Sequence, residues 1–221
     1  AKSENSVYTN YSNQNKNCYL IMGSGKNEDC FYSYRIFSSK NCFDTFDLNR
    51  CELCYECIQS VDLNNCQYCR NCQNSSDLVL CKNCSGCKNC FGCINIRNKE
   101  YCFYNKQLSK DIFETKLKNV LGGLKKAREE SKQFWLQHPF LHQHVINCEN
   151  VSGDQLVNSK NCHDCYYIKE SHDCKFCIFG VYKDSYDCNF GDECELMYNS
   201  TNLTNDSRVM CANLVWFTHD S

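Results

Sequence analysis

The feature that most constrains this chain is a three-residue register. From Cys18 to Cys102 every cysteine falls on it: 18, 30, 42, 51, 54, 57, 66, 69, 72, 81, 84, 87, 90, 93 and 102. The positions of that register without cysteine are small or apolar, among them Ile21, Ser24, Ser33, Ile36, Ser39, Thr45, Leu48, Ser60, Leu63, Ser75, Leu78 and Ile96. The other two registers carry the charged residues, the amides and most of the aromatics. One register therefore points inward and two point outward. A period of three is neither the 3.6 of an α-helix nor the 2.0 of a flat strand. It fits a chain that bends every few residues and turns one side chain in at each bend.

The corners are written into the sequence as well. Twelve of the 23 cysteines follow Asn or Asp, and Cys87 and Cys93 follow Gly. These residues tolerate positive φ at tight corners. The triplets Cys51/54/57, Cys66/69/72 and Cys81/84/87 recur at a spacing of 15 residues. The expected fold is thus mainly β: a narrow β-solenoid, or β-helix, with coils of about 15 residues. Stacking at that spacing predicts Cys51, Cys66 and Cys81 in one interior column, Cys54, Cys69 and Cys84 in the next, and Cys57, Cys72 and Cys87 in a third.

The register stops after Cys102. Residues 108–137 carry helical spacing at Ile112, Phe113, Leu117, Val120 and Leu121, with Ser109 as N-cap and Asp111 in the first turn. Gly122-Gly123 ends the first helix and Pro139 follows the second. The expected organisation is a β-solenoid segment over 1–107, a helical hairpin over 108–144 that interrupts or caps it, and a second solenoid segment over 145–221. In that last segment Cys162, Cys165, Ile168, Ser171, Cys174 and Cys177 keep the register, which shifts near Lys183-Asp184.

Three roles for the cysteines compete. Reduced cysteine is a small, well-buried core residue and needs no further task. Disulfides could staple each coil through Cys51–Cys57, Cys66–Cys72 and Cys81–Cys87, which are six apart. Metal is the third. The spacing C-x2-C is a recurrent thiolate-ligand pattern, and the surplus of cysteine over any staple count favours it. The expected function is therefore a metal-thiolate-binding solenoid holding zinc, copper(I) or an iron–sulfur cluster. The candidate ligands are Cys51, Cys54, Cys57, Cys66, Cys69, Cys72, Cys81, Cys84, Cys87, Cys90, Cys93, Cys102, Cys162, Cys165, Cys174 and Cys177. The alternative is a cofactor-free structural or interaction solenoid, disulfide-stapled or packed with reduced cysteine.

Other motifs are weaker. Gly23-Ser24-Gly25-Lys26 lacks the glycine spacing and the Ser/Thr of a phosphate loop. His138, His142 and His144 surround a proline that breaks helical ligand geometry. His163 and His172 lie near cysteines, but nothing marks a nucleophile, so no enzyme is expected. The net charge of -2 carries no large block of one sign, so no nucleic-acid partner is expected. No apolar run is long enough to span a membrane. No charged-then-apolar leader is visible, so secretion is not signalled; a cytoplasmic protein is expected, or an extracellular one if the cysteines are disulfide-bonded. The outward aromatics Tyr19, Phe31, Tyr32, Tyr34, Phe43 and Phe46 predict a flat face that packs on the hairpin or on another protein; a solenoid end is the other candidate contact.

Inward Cys and Ser at every third position is similar to the insect antifreeze-type narrow β-helices, in architecture only. The outward Thr-x-Thr ladder of those proteins is absent. The phrases SENSVYTNY (3–11), NKNCYLIMGSGKNEDCFYSY (15–34) and CKNCFGCINIRNKEYCFYNKQLS (87–109) resemble an uncharacterised Cys-rich CxxC-repeat family of uncultivated bacteria of the candidate phyla radiation type. Members of that family often carry zinc-ribbon-like segments ahead of this region. The resemblance implies a reducing bacterial cytoplasm and carries over no site.

Overall fold

The computed structural model describes residues 3–140 and 143–173, in two compact units, 1–140 and 141–221. The first is built on a three-residue unit of backbone. From Asn5 to Tyr104 every third residue has positive φ, including Gly23, Gly86 and Gly92. The next residue is the inward one, and the third faces out and pairs with its neighbours. Asn and Asp are the commonest corner residues, as the sequence predicts, but Tyr, Arg and Gln also stand there, as do Leu20, Leu53 and Leu80 at φ of 50° to 55°. A left-handed Leu costs about 1–2 kcal/mol, so the stacked hydrogen bonds hold those corners in place.

The strands are β1 (Val7–Asn13), β2 (Tyr19–Gly25), β3 (Phe31–Phe37), β4 (Phe46–Asn49), β5 (Glu52–Tyr55), β6 (Ile58–Gln67), β7 (Gln73–Val79), β8 (Lys88–Phe91), β9 (Glu100–Phe103) and β10 (Lys106–Gln107). Those from β1 to β9 pair in parallel, and β10 folds back antiparallel on β9. Each parallel pairing steps by 12 residues: Val7 opposite Tyr19, Tyr19 opposite Phe31, Tyr34 opposite Phe46, Val61 opposite Gln73. The expected step of 15 is therefore corrected to 12. Four triplets, each with one left-handed corner, bring the chain back beside itself, and a fifth would overshoot. The 15-residue sequence repeat is 12 plus one triplet, so successive CxxC triplets advance by one corner.

Four outward ladders follow. One alternates in charge, Glu4, Lys16, Glu28, Lys40, Glu52. Glu28 lies 3.6 Å from Lys16 and 3.2 Å from Lys40, exposed pairs that fix register more than they add stability. A second ladder is aromatic and aliphatic: Val7, Tyr19, Phe31, Phe43, Tyr55, Gln67, Val79, Phe91, Phe103. Phe31 stacks on Phe43 with centroids 4.7 Å apart, and Phe91 on Phe103 at 4.9 Å, the spacing of neighbouring strands.

The hairpin forms as expected, with α1 at Lys110–Leu121 and α2 at Leu124–Leu136. Ser109 stands at the N-cap in extended backbone, although its hydroxyl makes no capping bond. Gly122 ends α1 in right-handed conformation, and the Gly123 N–H reaches the Val120 carbonyl. Phe113, Leu117, Val120, Ala127 and Trp135 pack on the outward residues Tyr68, Leu80, Phe91, Phe103 and Tyr104. The hairpin thus covers the side of the aromatic ladder. This is why Leu80 and Phe91, both in outward registers, are buried. Asn105 closes the last pairing at Ile94: its Oδ1 accepts from the Ile94 N–H and its Nδ2 donates to the Ile94 carbonyl.

The second unit repeats the same unit of backbone. Strands β11 (Val145–Ile146), β12 (Gly153–Val157) and β13 (Cys165–Lys169) pair in parallel, at steps of 11 and then 12 residues. Leu156, Ser159, Cys162, Cys165, Ile168 and Ser171 are its buried residues. Gly153, at φ 126°, is required there, because a Cβ would run into the Cys165 carbonyl. Cys174, Cys177, the register shift near Lys183-Asp184 and the later coils lie outside the described residues.

Candidate functional site

The 12-residue step redistributes the cysteines into four interior columns. One holds Cys18, Cys30, Cys42, Cys54, Cys66, Leu78, Cys90 and Cys102. The next holds Ile21, Ser33, Thr45, Cys57, Cys69, Cys81 and Cys93. The third holds Ser24, Ile36, Leu48, Ser60, Cys72, Cys84 and Ile96. The last holds Asn15, Asn27, Ser39, Cys51, Leu63, Ser75 and Cys87. Of these residues only Ile96 is partly buried; the rest are buried. The expected columns Cys51–Cys66–Cys81, Cys54–Cys69–Cys84 and Cys57–Cys72–Cys87 do not form. The true stacks are diagonal to the sequence repeat.

Every described cysteine is a free thiol. The expected staples Cys51–Cys57, Cys66–Cys72 and Cys81–Cys87 are not formed, and all six are free thiols.

The thiols share one contact. All fifteen between Cys18 and Cys102 reach the carbonyl two residues earlier on their own strand, at 3.2–3.8 Å. Cys148, Cys162 and Cys165 do the same at 3.2 Å. The serine hydroxyls at equivalent positions make the same bond, except at Ser24, whose buried hydroxyl has no partner. Ser33, Ser39, Ser60, Ser75, Ser159 and Ser171 each donate to the carbonyl two residues back, at 2.7–3.0 Å. The longer distance of the thiol is the larger radius of sulfur. Cys and Ser therefore occupy one geometric role, a short side chain folded back to satisfy its own corner.

The thiols also touch one another. Hydrogen bonding from Cys42, Cys51 and Cys57 raises Cys54 above the ordinary thiol range. Burial, followed by Cys57 at Cys69 and by Cys84 at Cys81, pushes these two thiols well above the ordinary range. Cys42 and Cys72 accept from two neighbours each, first from Cys30 and Cys69 respectively, and are lowered. Among the described residues no three Cys, His, Asp or Glu side chains are arranged to hold a metal ion. Cys90, Cys93 and Cys102 sit in two adjacent columns near the hairpin, and Cys162 and Cys165 lie in the second unit.

The remaining motifs have structural places. Lys26 is a corner residue whose N–H donates to the Asn13 carbonyl. His138 Nδ1 lies 3.0 Å from the Phe134 carbonyl, and His144 pairs with Asp154 at 3.0 Å; His142 lies outside the described residues. No described helix is long and apolar enough to cross a membrane.

No protein-family model matches the chain, and no curated protein does. Among solved structures, one described as an acetyltransferase from Desulfovibrio desulfuricans G20 aligns with 90% of this chain at 9% identity and a TM-score of 0.20. The chain covers 60% of that protein's length. The polySia specific acetyltransferase NeuO aligns at 8% identity and a TM-score of 0.12, over 99% of this chain and 88% of that one. Likeness at those scores supports neither a shared fold nor a shared activity.

Proposed function

We propose that the four ladders are the walls of a narrow, four-sided β-solenoid, and that the chain is a cofactor-free structural and interaction scaffold packed with reduced cysteine. The observation that carries this reading is the equivalence of thiol and hydroxyl. Each inward Cys bonds the carbonyl two residues back, as the inward serines do with the exception of Ser24. A side chain whose donor is already engaged with its own backbone, and which Ser replaces from one step to the next, is packing material. The triplet leaves little interior room, and Cys, Ser and Thr fit where Leu at every corner would crowd.

The metal-thiolate reading draws its support from the sulfur contacts around Cys54 and Cys69. In that reading Cys42, Cys51, Cys54 and Cys57, or Cys57, Cys66, Cys69 and Cys72, turn from their carbonyls toward zinc, copper(I) or iron. Thiol titration of the denatured chain with elemental analysis of the same sample separates the readings. The scaffold reading expects all 23 cysteines to titrate, with no metal. Stoichiometric zinc, copper or iron would replace it with the metal reading. Few free thiols and no metal would mean disulfides.

A further inference from the structure

The aromatic ladder is one continuous surface with two fates. Over its later rungs the hairpin lies on it, and Leu80 and Phe91 are 1% and 0% exposed. Over its earlier rungs the same two outward positions stand open: Tyr8 is 69% exposed, Leu20 46%, Tyr32 54% and Phe43 42%. A groove of about 390 Å³ runs beside the open rungs, lined by Tyr8, Leu20, Tyr32, Met22 and Tyr34.

The covered half shows what this surface takes. The α2 helix lays Ala127, Ser131 and Trp135, spaced four apart, along the ladder. Trp135 Nε1 donates to the Gly92 carbonyl at 3.2 Å. Arg128 adds charge recognition: it pairs with Glu56 at 2.8 Å and lies over the Tyr68 ring at 4.9 Å. Glu56 and Tyr68 are the rungs where the covered half begins. Beyond them the acidic character continues. From Lys16 to Tyr55, the open ladder and the charged ladder beside it carry Glu28, Asp29, Asp44 and Glu52 against Lys16 and Lys40.

From this continuity and charge balance we infer that the open half, Tyr8 to Tyr55, is a docking site for a cationic amphipathic helix of a partner protein. The helix seats an apolar stripe on Leu20, Tyr32 and Phe43 and directs Arg or Lys at Asp44 and Glu52, extending the arrangement that α2 already makes. This rests on the interaction-scaffold reading for its biological sense, but it involves only outward side chains. Binding and thiol state are therefore measured independently, and failure of one does not mimic failure of the other.

The probe is a synthetic peptide of residues 108–140, supplied in trans to the full chain and followed by isothermal titration calorimetry. Saturable binding is expected, weakened about tenfold or more by Tyr32→Ser with Phe43→Ser, and weakened again by raising salt. A peptide carrying Arg128→Glu and Lys132→Glu should bind more weakly than the parent. Both chain variants are at exposed positions, and unchanged circular dichroism and melting confirm that they fold. Absence of binding to the unaltered chain overturns the proposal. So does binding indifferent to the two ladder variants, which would mean that the peptide displaces the resident hairpin. Sedimentation that shows a dimer abolished by the same variants would assign the surface to a second copy instead, and would also overturn it.

Discussion

Two stretches of one interior differ in chemistry and hardly at all in backbone. Between Asn15 and Leu48 the inward residues are Asn, Ser, Thr, Ile and Leu as well as three cysteines; between Cys51 and Cys93 they are chiefly Cys. Both stretches keep positive φ at every third residue and the 12-residue step. In the early stretch Asn27 Nδ2 reaches Asn15 Oδ1 at 3.1 Å and the Thr45 hydroxyl reaches Ser33 Oγ at 2.9 Å. In the later stretch thiols meet thiols at the matching places. The backbone thus accepts amide, hydroxyl or sulfhydryl at its corners. Cysteine is one solution among several to a small interior that must both exclude water and satisfy its carbonyls.

That comparison breaks most visibly where a charge enters. Cys69→Asp places a carboxylate at an interior site that is 1% exposed, and should cost several kcal/mol, on the order of 4. Thermal unfolding would register it as loss of a cooperative melt near room temperature. Retained stability would mean that the interior is wetter than the packing implies. Next is the corner. Asn83, at φ 52°, bonds Asn95 through its side chain at 2.7 Å. Asn83→Val should lose about 2 kcal/mol in urea unfolding, and Asn83→Gly clearly less.

Alkaline pH acts on the sulfur-rich stretch selectively. Cys69 and Cys81 are held above the ordinary thiol value of 9.0 by burial. The folded chain therefore keeps protons that the unfolded chain gives up above about pH 9. Their contribution is full below that pH and falls as pH rises toward the folded values, by about 1.4 kcal/mol per thiol per pH unit. Melting temperature should decline from pH 9 upward, and less steeply in Cys69→Ser. Equal slopes would remove these thiols from the account. The smallest effect sharpens the comparison: Cys72→Ser and Ser60→Cys exchange the two chemistries in one column, and each should shift stability by no more than about 1 kcal/mol.

The three-residue register, the inward set and the Asn/Asp corners were legible because each acts locally: a corner residue chooses its own φ, and its neighbour its own side. The step between strands was not. Both 12 and 15 are multiples of three, and the repeat of Cys51, Cys66 and Cys81 is the louder of the two. The quieter alternation of Glu4, Lys16, Glu28, Lys40 and Glu52 carries the true step, because charges of opposite sign are selected across paired strands. The hairpin's position was half legible. The aromatic residues announced a face, but of the covered rungs Leu80 is aliphatic and Phe91 is a lone aromatic between Tyr68 and Tyr101, without the density of Phe31 to Phe46. The bond from each thiol to its own strand could not be seen in C-x2-C, which on spacing alone reads as a ligand pattern. Its trace was the free interchange of Cys and Ser in one register.

The central claim, that these sulfurs are packing thiols, is tested most directly by sulfur K-edge absorption of the native chain as purified. Thiol, disulfide and metal-bound thiolate have distinct edges, so the interior is read without unfolding it. A spectrum of protonated thiol throughout, with the weak thioether signal of the methionines, is the predicted result. A ligand-to-metal pre-edge, or the paired features of a disulfide, would contradict it.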